Sequence, residues 1–127
     1  MVRRLRILLD THVLLWWFND DPELSSEFRT AIGSARNEIW VSAITFAEIS
    51  IKQSVGKVQA PFISDDLIAE QGMLQLPFEA AHARRVRELP LHHRDPFDRM
   101  LIAQALEEDL LLATADRRMA QYDVRVL

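Results

Sequence analysis

The chain has 127 residues, no cysteine, only 3 glycines and 5 prolines, and a hydrophobic content of 49%. This length fits one domain with a substantial core, and the composition excludes a disordered chain, a disulfide framework and a thiolate metal site. The net charge of −4 argues against a general polyanion binder, so contact with nucleic acid would need a local basic patch. We therefore treat residues 1–127 as a single domain.

Neither a secretory signal nor a membrane span is expected. The apolar start of the chain carries Asp10 and His12, and no small-residue cleavage site follows it. No uninterrupted run approaches the roughly 20 apolar residues of a membrane helix. Together with the lack of cysteine, these features predict a cytoplasmic protein without membrane contact.

Apolar runs of strand length alternate with helical patterns along the chain. The runs that predict strands are LRILL, IWVS, MLQL, LLLA and VRVL, at residues 5–9, 39–42, 73–76, 110–113 and 124–127, the last at a sheet edge. The predicted helices cover residues 11–19, 25–35, 44–55, 64–71, 79–88 and 96–108, with a short helix after Asp116. This alternation predicts an α/β fold, a three-layer sandwich with helices on both faces of a central parallel sheet of about five strands.

Four acidic residues stand where a carboxylate is locally unexpected. Asp10 ends the first predicted strand, and Asp116 follows the fourth. Glu48 interrupts an apolar helix, and Asp98 lies on the apolar side of a helix's first turn. Because ligands of open parallel sheets bind beyond the carboxyl ends of the strands, all four can reach one cleft. Such carboxylates would repel one another without a cation, and oxygen-only ligation favours Mg²⁺ or Mn²⁺.

Each acid also has a purely structural interpretation. Asp10 and Asp116 could cap helices, and Asp98 suits a helix's first turn by helix-dipole reasoning alone. Glu48 could form an ion pair with Lys52, one helical turn further on. The joint arrangement, rather than any single position, favours the metal site.

Four segments carry a resemblance to a known family: LLDTHVLLWW, SAITFAEI, HRDPFDRMLIAQA and LLATAD, in this order along the chain. Together they are similar to a PIN domain of the VapC type, the toxin ribonucleases of bacterial toxin–antitoxin pairs. The match runs from residue 7 to residue 126, and HRDPFDRMLIAQA is its most specific part.

The resemblance implies a PIN-like fold and a metal-dependent endoribonuclease that hydrolyses RNA phosphodiester bonds with Mg²⁺ or Mn²⁺. The metal-binding and catalytic acids that it implies are Asp10, Glu48, Asp98 and Asp116. Of these, Asp10 and Asp98 are expected to be direct ligands, whereas the other two would bind a second ion or orient water. Thr11 and Thr114 would hold carboxylates or water by hydrogen bonds. Asp95, in the same segment as Asp98, is assigned to helix capping.

An RNA substrate requires cationic surface near the cleft. The candidates for phosphate contact are Arg84, Arg85, Arg87, Arg94, Arg99 and Arg117. A solvated helix face is the alternative for at least half of them. His92 and His93 could serve as metal ligands or general bases, but four available carboxylates make that role unnecessary, and we assign neither.

The run Trp16, Trp17 and Phe18 is too broad an aromatic cluster for one buried helix face. Core packing explains one or two of these side chains, and the remainder indicates a protein interface. The family resemblance supplies two candidates for the partner, namely a second copy in a homodimer and a cognate antitoxin whose tail lies over the groove.

Two other functions fit parts of the pattern. A phospho-receiver domain has this length, this layering and an acidic Mg²⁺ pocket, but it would need a lysine after the last strands, and the only lysines are Lys52 and Lys57. A catalytically silent PIN-like binding module remains open, although the presence of all four acids argues against it.

Overall fold

The computed structural model describes residues 4–58 and 62–127. Its strands are β1 (Arg6–Leu9), β2 (Glu38–Ser42), β3 (Leu74–Leu76) and β4 (Leu111–Ala113). Its helices are α1 (Thr11–Phe18), α2 (Ser26–Gly33), α3 (Ala43–Ser54), α4 (Asp65–Glu70), α5 (Ala80–Val86) and α6 (Pro96–Glu108), and a 3₁₀ turn covers Met119–Gln121. The strands form one parallel four-stranded sheet in the order β3-β2-β1-β4.

The central strand β1 is buried on both faces, as the continuous apolar run predicts. Ile7, Leu8 and Leu9 are fully buried. Because successive side chains of a strand point to opposite faces, Ile7 and Leu9 join one core cluster and Leu8 joins the other. Residues of α1, α2 and α4 pack in the first cluster, and residues of α3 and α6 pack in the second. The predicted three-layer α/β sandwich is therefore confirmed.

The predicted fifth strand at residues 124–127 is reduced to a single parallel bridge between Leu112 and Val126. Leu112 N donates to Arg125 O at 2.8 Å, and Leu127 N donates to Leu112 O at 3.0 Å. The segment lies beside β4 at the sheet edge, as expected, but its pairing is confined to Leu112. Within residues 4–58 and 62–127, the sheet therefore has four strands.

Helix α6 has the predicted bounds because both of its ends are determined locally. Asp95 Oδ1 accepts hydrogen bonds from Phe97 N and Asp98 N, and Pro96 occupies the first helical position. At the other end Asp109 adopts a left-handed conformation with a φ of 54°. This geometry places the start of α6, and with it Asp98, at the carboxyl edge of the sheet.

None of the described helices is long and apolar enough to cross a membrane.

Candidate active site

Asp10 lies between β1 and α1, at the carboxyl edge of the sheet. Its backbone N–H donates to Ala113 O at 3.1 Å, and its Oδ1 accepts from Val13 N at 2.8 Å as the N-cap of α1. The capping role that the sequence left open is thus present. The side chain is nevertheless buried, and burial raises the pKa of the Asp10 carboxyl against the lowering effect of hydrogen bonds from Thr114 and Val13. The negative charge of Asp116 adds to this rise, which shows that the two carboxylates act on one another.

Asp98 lies in the first turn of α6 and faces the same cleft. Burial raises its pKa to about 6, and the charges of Asp95 and Glu48 push in the same direction. A hydrogen bond with His93 opposes the rise: His93 Nε2 and Asp98 Oδ2 are 2.7 Å apart. Ionisation of Asp98 is therefore unfavourable in the folded protein, and a bound cation would stabilise the ionised form.

His93 completes a compact group of possible ligands with Asp98 and Asp116. Its Nε2 lies 3.7 Å from Asp116 Oδ2, and one ligand atom of each of the three residues lies within 4.8 Å of the others. The ring is only 6% exposed, and the backbone N–H of His93 donates to Tyr122 Oη at 2.9 Å. We did not assign His93 from the sequence. The available signal was its place five residues before Asp98, in the most specific segment of the chain.

Asp116 follows β4 and is held by its immediate neighbours. Its backbone N–H donates to Thr114 Oγ1 at 3.0 Å, and its Oδ1 accepts from Arg118 N at 2.9 Å. Arg118 Nη2 lies 3.1 Å from Asp116 Oδ2. Partial burial would raise the pKa of this carboxyl, but the hydrogen bonds and charge of Arg118 prevail and lower it. The pKa of Asp116 is thus shifted in the direction opposite to those of Asp10 and Asp98.

Glu48 lies on α3, is 2% exposed, and has both of its carboxylate oxygens in use. Oε1 accepts from Thr11 Oγ1 at 2.7 Å, and Oε2 lies 2.5 Å from Lys52 Nζ. The ion pair with Lys52 that the sequence left open is therefore present. Glu48 is still close enough to the cleft for its charge to raise the pKa of Asp98.

Arg99, one of the predicted phosphate contacts, points into the protein. Its Nη1 donates to Pro90 O at 3.0 Å and to Tyr122 Oη at 3.1 Å, and its Nη2 donates to Val86 O at 3.2 Å. These bonds tie the loop between α5 and α6 to the start of α6. Because that loop carries His93, Arg99 and Tyr122 together determine where the imidazole lies.

The other candidate arginines lie at the surface. Arg85 pairs with Glu107 at 3.1 Å and with Glu88 at 3.7 Å. The exposed members of the predicted set are Arg84, Arg87, Arg94 and Arg117. Their guanidinium groups are accessible to solvent, which phosphate contact requires.

A second group of possible metal ligands, formed by Glu79, His82 and Glu108, serves a structural purpose. His82 Nδ1 accepts from Glu79 N at 2.9 Å, within a capping box at the start of α5. His82 Nε2 lies 3.0 Å from Glu108 Oε1, so it must carry the ring proton and donate it. Both nitrogens are therefore used, and no lone pair remains for a metal.

The aromatic run at the end of α1 is half-buried and packs against the core. Trp16, Trp17 and Phe18 all contact the cluster that contains β1, and Trp17 Nε1 donates to Gln71 Oε1 at 3.0 Å. Core packing accounts for more of this cluster than the sequence indicated. The predicted interface at this surface stays a prediction.

The residues at the carboxyl edge fit a divalent cation. They offer oxygen ligands from Asp10, Asp98 and Asp116, and burial raises the pKa of Asp10 and Asp98. Oxygen donors suit Mn²⁺ and Mg²⁺. The metal-free site concentrates negative charge that an ion would neutralise.

Fold and site together define a small parallel α/β domain with an acidic cleft, and the model of the PIN domain family matches residues 7–125. The chain belongs to the PIN domain family. Among curated proteins it is similar to ribonuclease VapC22 of Mycobacterium tuberculosis, with 29% identity over 119 residues and 91% of each chain covered.

Two solved structures have a similar fold. The crystal structure of VapBC2 from Rickettsia felis, bound to a DNA fragment from its promoter, matches with a TM-score of 0.65 and 17% identity over 97% of each chain. The crystal structure of FitAcB from Neisseria gonorrhoeae matches with a TM-score of 0.64 and 21% identity, covering 95% of this chain and 96% of that one. The predicted PIN-like fold is confirmed by these matches.

Proposed function

We propose that this protein is a metal-dependent endoribonuclease and the toxin of a toxin–antitoxin pair. The observation that carries the proposal is the convergence of Asp98, Asp116 and His93 at one sheet edge, beside the buried Asp10. Membership of the PIN domain family and the likeness to a VapC ribonuclease support the same reaction. The substrate is RNA, and the bond hydrolysed is a phosphodiester.

Asp10, Asp98 and Asp116 would hold the ion, Mg²⁺ or Mn²⁺. When bound, the ion supplies Lewis-acid stabilisation of phosphate charge and favours deprotonation of the attacking water. His93 orients the Asp98 carboxylate through its hydrogen bond, and Thr114 orients the backbone of Asp116. Burial of these groups excludes bulk water and strengthens their interactions with a charged substrate.

Glu48 lies beside these ligands and belongs to the same functional site. Thr11 holds it by a hydrogen bond, which gives this threonine the supporting role that we propose. The exposed arginines Arg84, Arg87, Arg94 and Arg117 are the proposed contacts to the RNA backbone, with Arg85 at the margin of the same surface. Arg99 supports the site through the loop that it holds.

The partner that we propose is a cognate antitoxin. The VapBC2 and FitAcB crystal structures come from systems of this kind, and their fold matches the present chain over almost its whole length. We further propose that the protein forms a homodimer and acts in the cytoplasm, where its RNA substrate is found.

The direct test compares RNA cleavage by the wild type with that of Asp10→Asn and Asp98→Asn, in the presence of Mg²⁺ or Mn²⁺. Asparagine keeps the size of the side chain, and at position 10 it keeps the helix cap. Each variant should lose cleavage by about a hundredfold or more, since it removes a charged ligand of the ion. Asp123→Asn, which changes an exposed carboxylate, serves as the control for the loss of one charge.

Full activity in either site variant would overturn the proposal. RNA binding by the wild type without any cleavage in either metal would instead identify a silent binding module. Circular dichroism and thermal unfolding of each variant establish that the fold is retained.

A further inference from the structure

A lysine forms an ion pair with one of the four acids at the carboxyl edge of the sheet. Lys52 is one helical turn after Glu48 on α3, and its Nζ is 2.5 Å from Glu48 Oε2. The Lys52 side chain is 33% exposed, whereas that of Glu48 is 3% exposed. The ammonium group therefore binds a buried carboxylate while the lysine side chain stays partly exposed to solvent.

Both carboxylate oxygens of Glu48 already bind hydrogen-bond donors. Thr11 Oγ1 donates to Oε1 at 2.7 Å and Lys52 Nζ donates to Oε2, so an ion at Oε2 would lie beside an ammonium group that repels it. Among the described residues, the ligand atoms that converge within 4.8 Å in this cleft belong to His93, Asp98 and Asp116. Glu48 and Asp10 are both outside that group, but in the described part of the chain Asp10 has no cationic partner within ion-pair distance, whereas Glu48 has Lys52.

The charge of Lys52 acts beyond its own ion pair. The hydrogen bond with Glu48 raises the pKa of Lys52, and the carboxylates of Asp95 and Asp98 raise it further. The ammonium group is thus attracted by Glu48, Asp98 and the capping residue Asp95. An ammonium group is a compact point charge, and here it supplies positive charge beside the buried Glu48 carboxylate.

We propose that Lys52 is a permanent cation of the active site, which neutralises Glu48, keeps it from metal ligation, and so limits the acidic cluster to one divalent ion. This inference rests on the proposed metal-dependent nuclease and states which cation neutralises which acid of its active site. Glu48 is then an anchor for Lys52 rather than a ligand, and Lys52 is a positioning residue. The competing arrangement has Lys52 move aside so that Glu48 binds a second ion.

A charge-balanced pair of substitutions separates the two arrangements. Glu48→Gln and Lys52→Met each change the charge of the cleft by one unit, whereas the double variant keeps the pair neutral. The double variant also leaves no buried carboxylate unpaired, so it decides the question even if Lys52→Met alone fails to fold. Lys57→Met removes the charge of the other lysine, which is exposed, and is the matched control.

Isothermal titration of each metal-free protein with Mn²⁺, without RNA, measures the number of ions bound and their affinity. The wild type should bind one ion per chain. Glu48→Gln should bind about tenfold more weakly, because Lys52 then repels the ion, and Lys52→Met should bind about tenfold more tightly or take up a second ion. The double variant should match the wild type within about threefold, and Lys57→Met should be unchanged.

Two ions per wild-type chain would overturn the inference, as would a double variant that binds as weakly as Glu48→Gln. Equal affinities of Lys52→Met and Lys57→Met would overturn it too. A wild type that binds Mn²⁺ as described but does not cleave RNA would refute the nuclease and leave the charge assignment intact. A wild type that binds no Mn²⁺ would overturn the metal site and the inference together.

Discussion

Replacing Asp98 with asparagine should stabilise the metal-free protein at pH 8. Burial and the charges of Asp95 and Glu48 raise the pKa of Asp98 from 3.8 to about 6. A carboxyl group with a raised pKa in the folded state binds its proton more tightly there than in the unfolded chain, so its ionisation opposes folding. This loss of stability is absent below pH 3.8, grows as the pH rises, and is complete above about pH 6. Asparagine carries no charge, so the variant does not lose this stability.

The size of the effect follows from the shift in pKa. A rise of about two units corresponds to about 3 kcal/mol between the charged and neutral forms. The Asp98 side chain is still 17% exposed, so solvent screening reduces the expected gain to about 1–2 kcal/mol at pH 8. At pH 5 roughly half of that gain remains, because the folded carboxyl is then mostly protonated. The hydrogen bond from His93 persists, since the amide oxygen can accept it.

Urea unfolding in excess EDTA at pH 5 and at pH 8 measures both values. Asp123→Asn, at an exposed position, should change stability by less than about 0.5 kcal/mol at either pH. Addition of Mn²⁺ should make the wild type more stable than Asp98→Asn. The ion binds the folded state, and only the wild type retains the Asp98 carboxylate as a ligand for it. An Asp98→Asn variant that is no more stable than the wild type in EDTA at pH 8 would refute the electrostatic argument.

Three further outcomes are expected. Protons should compete with Mn²⁺ for the carboxyl groups of Asp10 and Asp98, because the pKa of each is raised. The Mn²⁺ affinity measured by titration should therefore fall from pH 8 to pH 5. An affinity that does not change with pH would contradict the assignment of these two residues as ligands. Arg99→Met should destabilise the protein by about 1–3 kcal/mol in urea unfolding, because it leaves carbonyl groups of the His93 loop unsatisfied; an unchanged stability would show that solvent replaces those bonds. Leu8→Ala should cost about 2–5 kcal/mol in the same assay, since Leu8 is fully buried in the central strand, and a smaller loss would mean that the core closes around the cavity.

The elements with strong local signals were predictable from the sequence. Helix α6 begins and ends at the predicted residues because Asp95, Pro96 and Asp109 determine its ends without help from distant parts of the chain. The parallel sheet followed from buried apolar runs such as Ile7–Leu9 of β1. The segment at residues 124–127 is also rich in apolar residues, but it pairs with β4 through a single bridge. The length of that pairing depends on the path of the segment beside β4, which the local sequence does not indicate.

The sequence indicated where the acids of the candidate site lie and that Glu48 could pair with Lys52, but it did not indicate the contact between His93 and Asp98. The placement of Asp10, Asp98 and Asp116 at one edge follows from strand order and connection, which the sequence pattern conveys. His93 contacts Asp98 from a loop that Arg99 and Tyr122 bind through hydrogen bonds, and that tertiary arrangement leaves no periodic signal in the sequence. The alternative pairing of Glu48 was visible as a four-residue spacing on a helix, and the structure contains it.

The order of the strands determines when, during synthesis of the chain, the acidic cleft can first form. Strand β1 pairs with β4 in register Ile7 with Leu111, so the first and last acids of the cleft lie more than a hundred residues apart in the chain. During synthesis, the part of the protein that carries Asp10 must wait for Asp116 to leave the ribosome before the two carboxylates can meet. A growing chain from which Asp116 has not yet emerged therefore lacks the complete acidic cleft.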